Sequence, residues 1–582
     1  MKIVNIIPHA LSGESHQDSG PNIAVNPRNT NEIVISALTP DPNGGPNAPV
    51  FVSVDGGDTW SLKSIIPGGN GDTGTFGITL KYGQTSNELY AAILKGNAFQ
   101  SSDILRTTNP SGGATMAELD YIQGGIEQPY IVVATVSSGP DAGKDRLYIG
   151  MNVLPDDDIP TSADGNTSTI RQTMDAQAAA PVFTSISLDR RKKSQDGPSR
   201  NGPQVRPAVH NDGTVYAVFY TWQTWTFPPG DVNTPITSDV VIVRDDNWGQ
   251  SGDPYGSLID GGDGQAGQRI AIDVPLQFYF YLGQEYTSGE LAIAVDPGNS
   301  SIVYVAWAEK IDDGGDEVNL VHLRRSVDRG QTWSPLDLLS VPNCKNPALA
   351  INDSGQVGFL YQQFTGSGNS QRWETHLAFS GNSVNWSDTV LATVPADTPV
   401  RQFFPYIGDY IDIMAVEDTF YGVFCANNKP DPNFPAIHID FPQGVTYQRN
   451  NVSGVLLNQL GQAPVPVSID PFFFKTEFIA PPPQIPPPKW LGIVITILFG
   501  IIGDGGGAYI DGSGHIHIVG PGDPGPGWAY LVNLAELRLA SALNDKSGLQ
   551  LQKQSLQNIV DLATAQIAQI NRQLGQTGPA ST

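Results

Sequence analysis

The sequence predicts an all-β chain: a roughly seven-bladed β-propeller, with six blades as the alternative, followed by a small C-terminal module of α+β or helical type. Three observations predict it. A strand–turn–strand unit recurs at about the 50-residue spacing that marks propellers. Glycine and proline number 63 and 46 against 39% hydrophobic residues, which suits many short strands joined by turns. At 582 residues the chain exceeds the roughly 250–300 that one core organises, so a closed repeat or several domains is needed.

The unit is a polar residue, a small residue or proline, an apolar strand, a turn and a second apolar strand. It reads PNIAVNPRNTNEIVISA from Pro21, FGITLKYGQTSNELYAAIL from Phe76, and QPYIVVATV from Gln128 with DRLYIGMN from Asp145. It returns as RPAVHNDGTVYAVFYTW from Arg206, LAIAVDPGNSSIVYVAWAE from Leu291, NPALAINDSGQVGFLYQQF from Asn346 and FPYIGDYIDIMAVEDTFYGVFCAN from Phe404. Asp212-Gly213 and Asn299-Ser300 read as hairpin turns. Such units cannot bury their own faces, so neighbours stack and the ring closes. The opening strand, residues 2–7, is expected to complete the last blade.

Charge and cysteine content narrow the function classes. Asp plus Glu exceed Lys plus Arg by 58 to 32, a formal charge of −26 that repels a phosphate backbone and excludes nucleic acid as the main partner. Cys344 and Cys425 are too few to staple the chain. The opening MKIVNIIPHALSGESHQ has too short an apolar stretch for a recognisable secretory signal, which needs about 7–15 apolar residues. The expected location is still extracellular or on a particle.

Two octapeptides match Ser-x-Asp-x-Gly-x-Thr-Trp without a mismatch: Ser53, Asp55, Gly57 and Trp60 mark the first, Ser326, Asp328, Gly330 and Trp333 the second. A degraded copy, FSGNSVNWS, starts at Phe379. In such a turn the Asp accepts hydrogen bonds from turn amides, the Gly takes positive φ and the Trp packs back between sheets, a structural role. Over residues 1–475 the chain resembles the Asp-box, or bacterial neuraminidase repeat, superfamily of sialidase-like propellers. The resemblance implies a propeller and, among its sialidases, an Arg triad, an Asp acid/base and a Tyr nucleophile with a Glu partner. Their Phe-Arg-Ile-Pro motif does not occur; Val205-Arg206-Pro207 is the nearest sequence.

The residue before each first strand should face a shared channel mouth. Those positions are Asp18, Asp72, Glu127, Arg206, Glu290, Lys345 and Arg401. Asp18, Glu127 and Glu290 are the candidate catalytic carboxylates, with Arg206 and Arg401 clamping a carboxylate or sulfate on the ligand. Asp72 and Lys345 are candidate substrate contacts. A one-residue shift of register would turn any of them away, and a solvated rim of internal ion pairs is the alternative. Trp222, Trp225 and Tyr286 are expected to offer rings to a sugar's C–H faces, or else to pack between blades. No cofactor is expected and no His set has metal-ligand spacing; His16 lies near Asp18, and His515 and His517 alternate in the tail. The acidic loops Asp156-Asp157-Asp158 and Asp312-Asp313-Gly314-Gly315-Asp316 offer oxygen ligands for Ca²⁺ without EF-hand spacing, or are simply solvated.

Residues 476–489 carry PPPQIPPP and read as an extended linker. The module at 490–582 opens with WLGIVITILFGIIG, shorter than the roughly 20 apolar residues of a membrane span, so no transmembrane segment is expected. A hairpin-like GAYIDGSGHIHIVGPG follows, then two helices over 528–544 and 549–574, the second with an apolar stripe for a protein partner or self-association. The reading leaves two functions open. One is a glycan-processing or glycan-recognising propeller, with glycoside hydrolysis at the channel mouth. The other is a non-catalytic binding or structural subunit docked to a larger assembly by residues 490–582.

Overall fold

The computed structural model describes residues 1–477 except 39–48, 66–74, 97–100, 114, 124, 154–166, 192–200, 226–234, 278–279, 288, 314–315, 403–405 and 431–440, and beyond 477 only the strands Gly507–Ile510 and Ile516–Val519. Seven antiparallel sheets follow one another along the chain. Their first strands are Ser19–Val25, Thr75–Tyr82, Ile126–Thr135, Asn201–Val209, Leu291–Asp296, Cys344–Ile351 and Asp412–Val416, which begin blades I to VII. These strands touch in cyclic order, blade VII returning to blade I, so seven blades close round one axis.

The second strand of each blade explains why the apolar runs are continuous rather than alternating. Leu89–Lys95 and Asp145–Val153 are buried at every residue, because both faces are covered by neighbouring blades. An apolar cluster fills each seam: Val34, Leu80 and Ala91 lie between blades I and II, and Val218, Ile242 and Val305 between IV and V. Blade V departs from the expected turn. Asp296 already pairs with Asn299, so Pro297-Gly298 makes the hairpin and Asn299 opens the strand Asn299–Asp313.

The N-terminus supplies the fourth strand of blade VII. Lys2–Asn5 runs antiparallel to Ile469–Glu477, with Ile3 opposite Phe474 and Val4 opposite Phe473, and Thr446–Tyr447 adds a short parallel edge. Asn5 Nδ2 donates to Asp470 Oδ2 at 2.8 Å, so the closure carries a buried polar latch beside its apolar contacts.

Both complete boxes form the turn between third and fourth strands, in blades I and V. Asp55 Oδ1 accepts from Thr59 N at 2.8 Å, Gly57 N donates to Ser53 Oγ at 2.9 Å, and Trp60 Nε1 donates to Gly57 O at 3.3 Å. Asp328, Thr332, Ser326, Gly330 and Trp333 repeat this arrangement. Gly57 sits at φ +88, and a Cβ there would meet the Phe473 ring at 2.1 Å, so the position requires glycine for space as well as for backbone. In blade VI, Asn382 takes the Asp position and accepts from Asn385 N at 2.8 Å. Blade IV builds a related turn that the sequence pattern does not reveal, with Asp245 accepting from Asn247 N and Gly249 N at 2.8 Å each.

A charged pair stiffens the outer part of the IV–V seam. His322 stacks on Trp307 at 4.9 Å between ring centroids, with Nδ1 2.7 Å from Asp337 and Nε2 3.1 Å from Glu309. Blade VI repeats the device with His376 on Tyr361 and Asp388. Burial works to lower the His322 pKa, but hydrogen bonds to Asp337 and Glu309 and their charges outweigh it and raise it from 6.5 to about 9. A raised histidine pKa stabilises fully below the unfolded value, and that contribution is lost as pH rises through the folded value. His322→Gln should therefore lower the urea midpoint most near pH 6, with the gap from wild type closing by about pH 9.5. An equal gap at both pH values would show that the imidazolium charge adds nothing.

The chain divides into two compact units, Met1–Ile479 and Ala480–Thr582. In the second, Gly507–Ile510 pairs antiparallel with Ile516–Val519, placing Tyr509 opposite His517. His515, the predicted helices over 528–544 and 549–574, and the linker from 478 onward lie outside the described residues. No described helix is long and apolar enough to cross a membrane.

Candidate functional site

The first strands do not start in a common plain register. Five carry an irregularity at their opening, and in four of them the residue before proline is in a left-handed conformation: Gly20-Pro21 (φ 56), Gln128-Pro129 (φ 48), Gly202-Pro203 (φ 111) and Asn346-Pro347 (φ 55). These bulges re-aim the side chains on either side of them. In these four, the paired residues immediately before the bulge are Ser19, Glu127, Asn201 and Lys345.

This register corrects the predicted ring of seven. Ser19, not Asp18, is the counterpart of Glu127 in blade I, and Asn201, not Arg206, is its counterpart in blade IV. Asp18 is 2% exposed and lies with Glu14 and Asp470 instead. Arg401 does not precede a first strand, since blade VII opens at Asp412; its N and Nη1 bond to Gln284. Lys345 is buried and holds Glu285 Oε1 at 3.2 Å, so its charge serves an internal pair. Glu127 is half-buried opposite Asn152. Asp72 lies outside the described residues.

Arg206 and Glu290 lie on the wall of one cavity. They line this narrow axial cavity together with Tyr130, Asn346, Asp409 and Asp412. Blades III to VII all contribute to this wall. Arg206 is 4% exposed; its guanidinium lies 4.6 Å from the centre of the Tyr130 ring and donates to Gln128 Oε1 at 3.2 Å. Asp412 Oδ2 accepts from Asn22 Nδ2 at 2.8 Å and lies 3.1 Å from Lys81 Nζ. Asn346 donates to Gln362 Oε1 and Gly408 O, fixing the bulge of blade VI against blade VII. Burial, then the charge of Asp412, pushes the Tyr130 phenol far above its ordinary value, and burial and Asp409 do the same for Tyr410, so both are neutral donors.

The wall thus combines three carboxylates, one guanidinium and two neutral phenols, with Lys81 bound behind Asp412. Burial lowers the Arg206 pKa, and the surrounding Tyr130, Tyr410, Asp409 and Asp412 offset that cost only in part. A carboxylate clamp made by Arg206 and Arg401 is therefore not what the fold builds. The local excess of negative charge suits neutral, hydroxyl-bearing ligands better than anionic ones.

The aromatic predictions divide. Trp222 is 2% exposed, packs in the IV–V seam and donates Nε1 to Gly202 O at 3.1 Å, so it is a packing residue and not a sugar platform. The Trp225 and Tyr286 side chains lie outside the described residues, as do Asp156-Asp157-Asp158 and the side chains of Asp312, Asp313 and Asp316. Sequence reasoning missed Tyr130, Asn346, Asp409, Tyr410 and Asp412. The available signal was the recurring Gly, Gln or Asn before proline, which marks the bulge and hence the true start of the inward face.

No protein-family model matches the chain, and no curated protein matches its sequence. Solved structures do. An α-L-arabinofuranosidase from Fusarium graminearum is 9% identical, covering 81% of this chain and 97% of its own, with a TM-score of 0.35. A polysaccharide lyase of family PL25, an ulvan lyase, is 10% identical over 71% of this chain and 92% of its own at 0.40. A GH43_1 enzyme from Xanthomonas citri is 11% identical over 57% and 93% at 0.30. At these scores and identities the matches carry no argument about chemistry.

Proposed function

We propose that the protein is a glycan-processing propeller that takes a neutral sugar at the axial cavity. The observation that carries this reading is the convergence of Glu290, Asp409 and Arg206 on one cavity from three blades. Paired carboxylates are what glycoside cleavage requires, one to protonate the leaving oxygen and one to stabilise or activate at the other side. In this reading Glu290 and Asp409 are that pair. Arg206, stacked on Tyr130, positions Asp409 and orients hydroxyls, and the Tyr410 phenol donates. A sialidase reading is not favoured, because among the described residues Arg206 alone of the arginines lines the cavity, and Phe-Arg-Ile-Pro does not occur.

A second reading, a non-catalytic binding or structural subunit attached through residues 490–582, is favoured by the internal compensation of Asp412 by Lys81 and Asn22. One experiment separates the two: fluorophore release from neutral and acidic aryl glycosides, beside binding of the same glycans by calorimetry, for wild type and Glu290→Gln. The first reading expects turnover of a neutral glycoside that Glu290→Gln lowers at least about 100-fold at unchanged thermal stability. Saturable binding without turnover supports the second. Neither binding nor turnover across the panel would remove the cavity as a sugar site.

A further inference from the structure

The ring closure contains a buried acidic cluster that the glycan reading does not use. Carboxylate oxygens of Glu14, Asp18 and Asp470 all lie within 4.8 Å of one another. The side chains of Glu14 and Asp470 are 6% and 0% exposed, and Asp18 is 2% exposed. Arg449, also 0% exposed at its side chain, holds Asp470 Oδ2 at 2.8 Å with Nη1, while its Nη2 donates to Ser12 O at 2.9 Å and to Glu14 O. Asp470 in turn accepts from Asn5 and Asn428. One guanidinium and one carboxylate thus clasp the segment that runs from the last strand of blade VII to the first of blade I.

The charges do not balance. Arg449 is one cation beside both Glu14 and Asp470, so ionising the two together would leave a negative charge out of water, which is costly. Glu14 Oε2 has no hydrogen-bond partner among the described residues, whereas Oε1 receives the His16 amide and lies 3.1 Å from His16 Nδ1. Two described neighbours, Tyr447 and Cys425, add no positive charge. The Tyr447 phenol is held neutral by burial and Asp470, and the Cys425 thiol is held neutral by burial and by Asp18, Asp470 and Glu285.

We propose that Glu14 is a proton-operated catch on the ring closure: protonated, it lets the N-terminal segment lock onto blade VII, and ionised, it loosens that segment. Burial, then the charge of Asp470, moves the Glu14 pKa from 4.5 to about 7. The folded chain therefore keeps a proton that the unfolded chain has released between these values. Stability from this group is full below the lower value, falls as pH rises through the window, and is level above it.

The test is hydrogen exchange of the full chain across about pH 5 to 8, corrected for intrinsic rates, read in peptides covering residues 2–18. In wild type the opening constant should rise by up to about tenfold per pH unit between 5 and 7 and then level. Glu14→Gln should be flat, and Asp18→Asn should move the rise to higher-protection, shallower behaviour by removing one repelling charge. Peptides from blades III and IV should not change. A wild-type profile without the rise, or a Glu14→Gln profile that keeps it, overturns the proposal. So does restoration of wild-type protection at high pH by millimolar CaCl₂, which would make the cluster a cation site instead.

Discussion

Arg206→Met will destabilise the propeller by about 1–3 kcal/mol, the cost of leaving Gln128 without its donor and the Tyr130 ring without its cation. The side chain keeps much of the volume against Tyr130, so packing changes little and the loss is electrostatic. Asp409 and Asp412 would then lose the guanidinium charge beside them, while Lys81 stays engaged by Asp412. Arg206→Lys retains the charge but loses the flat contact with the Tyr130 ring and the reach to Gln128, and should recover part of the stability. Urea unfolding of the three proteins at neutral pH measures this. A cost below about 1 kcal/mol for the Met variant would mean that solvent, not Arg206, compensates the two aspartates. The same Met variant should also abolish sugar binding at the cavity, which calorimetry under folded conditions reads separately.

Removal of residues 1–7 should have a still larger effect, abolishing the cooperative unfolding transition. Ile3, Val4, Ile6 and Ile7 are each 3% exposed or less. At about 1.5–3 kcal/mol per buried aliphatic side chain they contribute roughly 6–12 kcal/mol as an upper estimate, comparable to the roughly 5–15 kcal/mol of a whole folded protein. The deletion also exposes the long edge of Ile469–Glu477, an invitation to strand pairing between molecules. Circular dichroism melting and light scattering follow both consequences. A shortened chain that melts as sharply as the full one would show that the ring is held by its blade seams alone.

The boxes illustrate why so much of the fold was legible. Each is a turn satisfied within eight residues, so its geometry is written in adjacent positions. Apolar second strands such as Leu89–Lys95 are equally local, because burial on both faces needs a continuous run. Trp222 shows the opposite case: nothing in YTWQTWTF distinguishes a ring that packs in a seam from one that meets a sugar. The candidate site was harder still. Each bulge shifts the inward face, so a count of residues from the apolar run assigned Asp18 and Arg206 to positions that Ser19 and Asn201 occupy.

The sequence by itself determined the propeller, its count of about seven units and the box turns, since all of these follow from patterns within a few dozen residues. Only the tertiary structure decided which charges share a space. Arg206 meets Asp409 and Asp412 because five blades converge on the axis, and Asn5 meets Asp470, 465 residues away, because the ring closes. Such contacts depend on strand register and closure, where a one-residue bulge reverses the direction of a side chain without altering the composition of the strand that carries it.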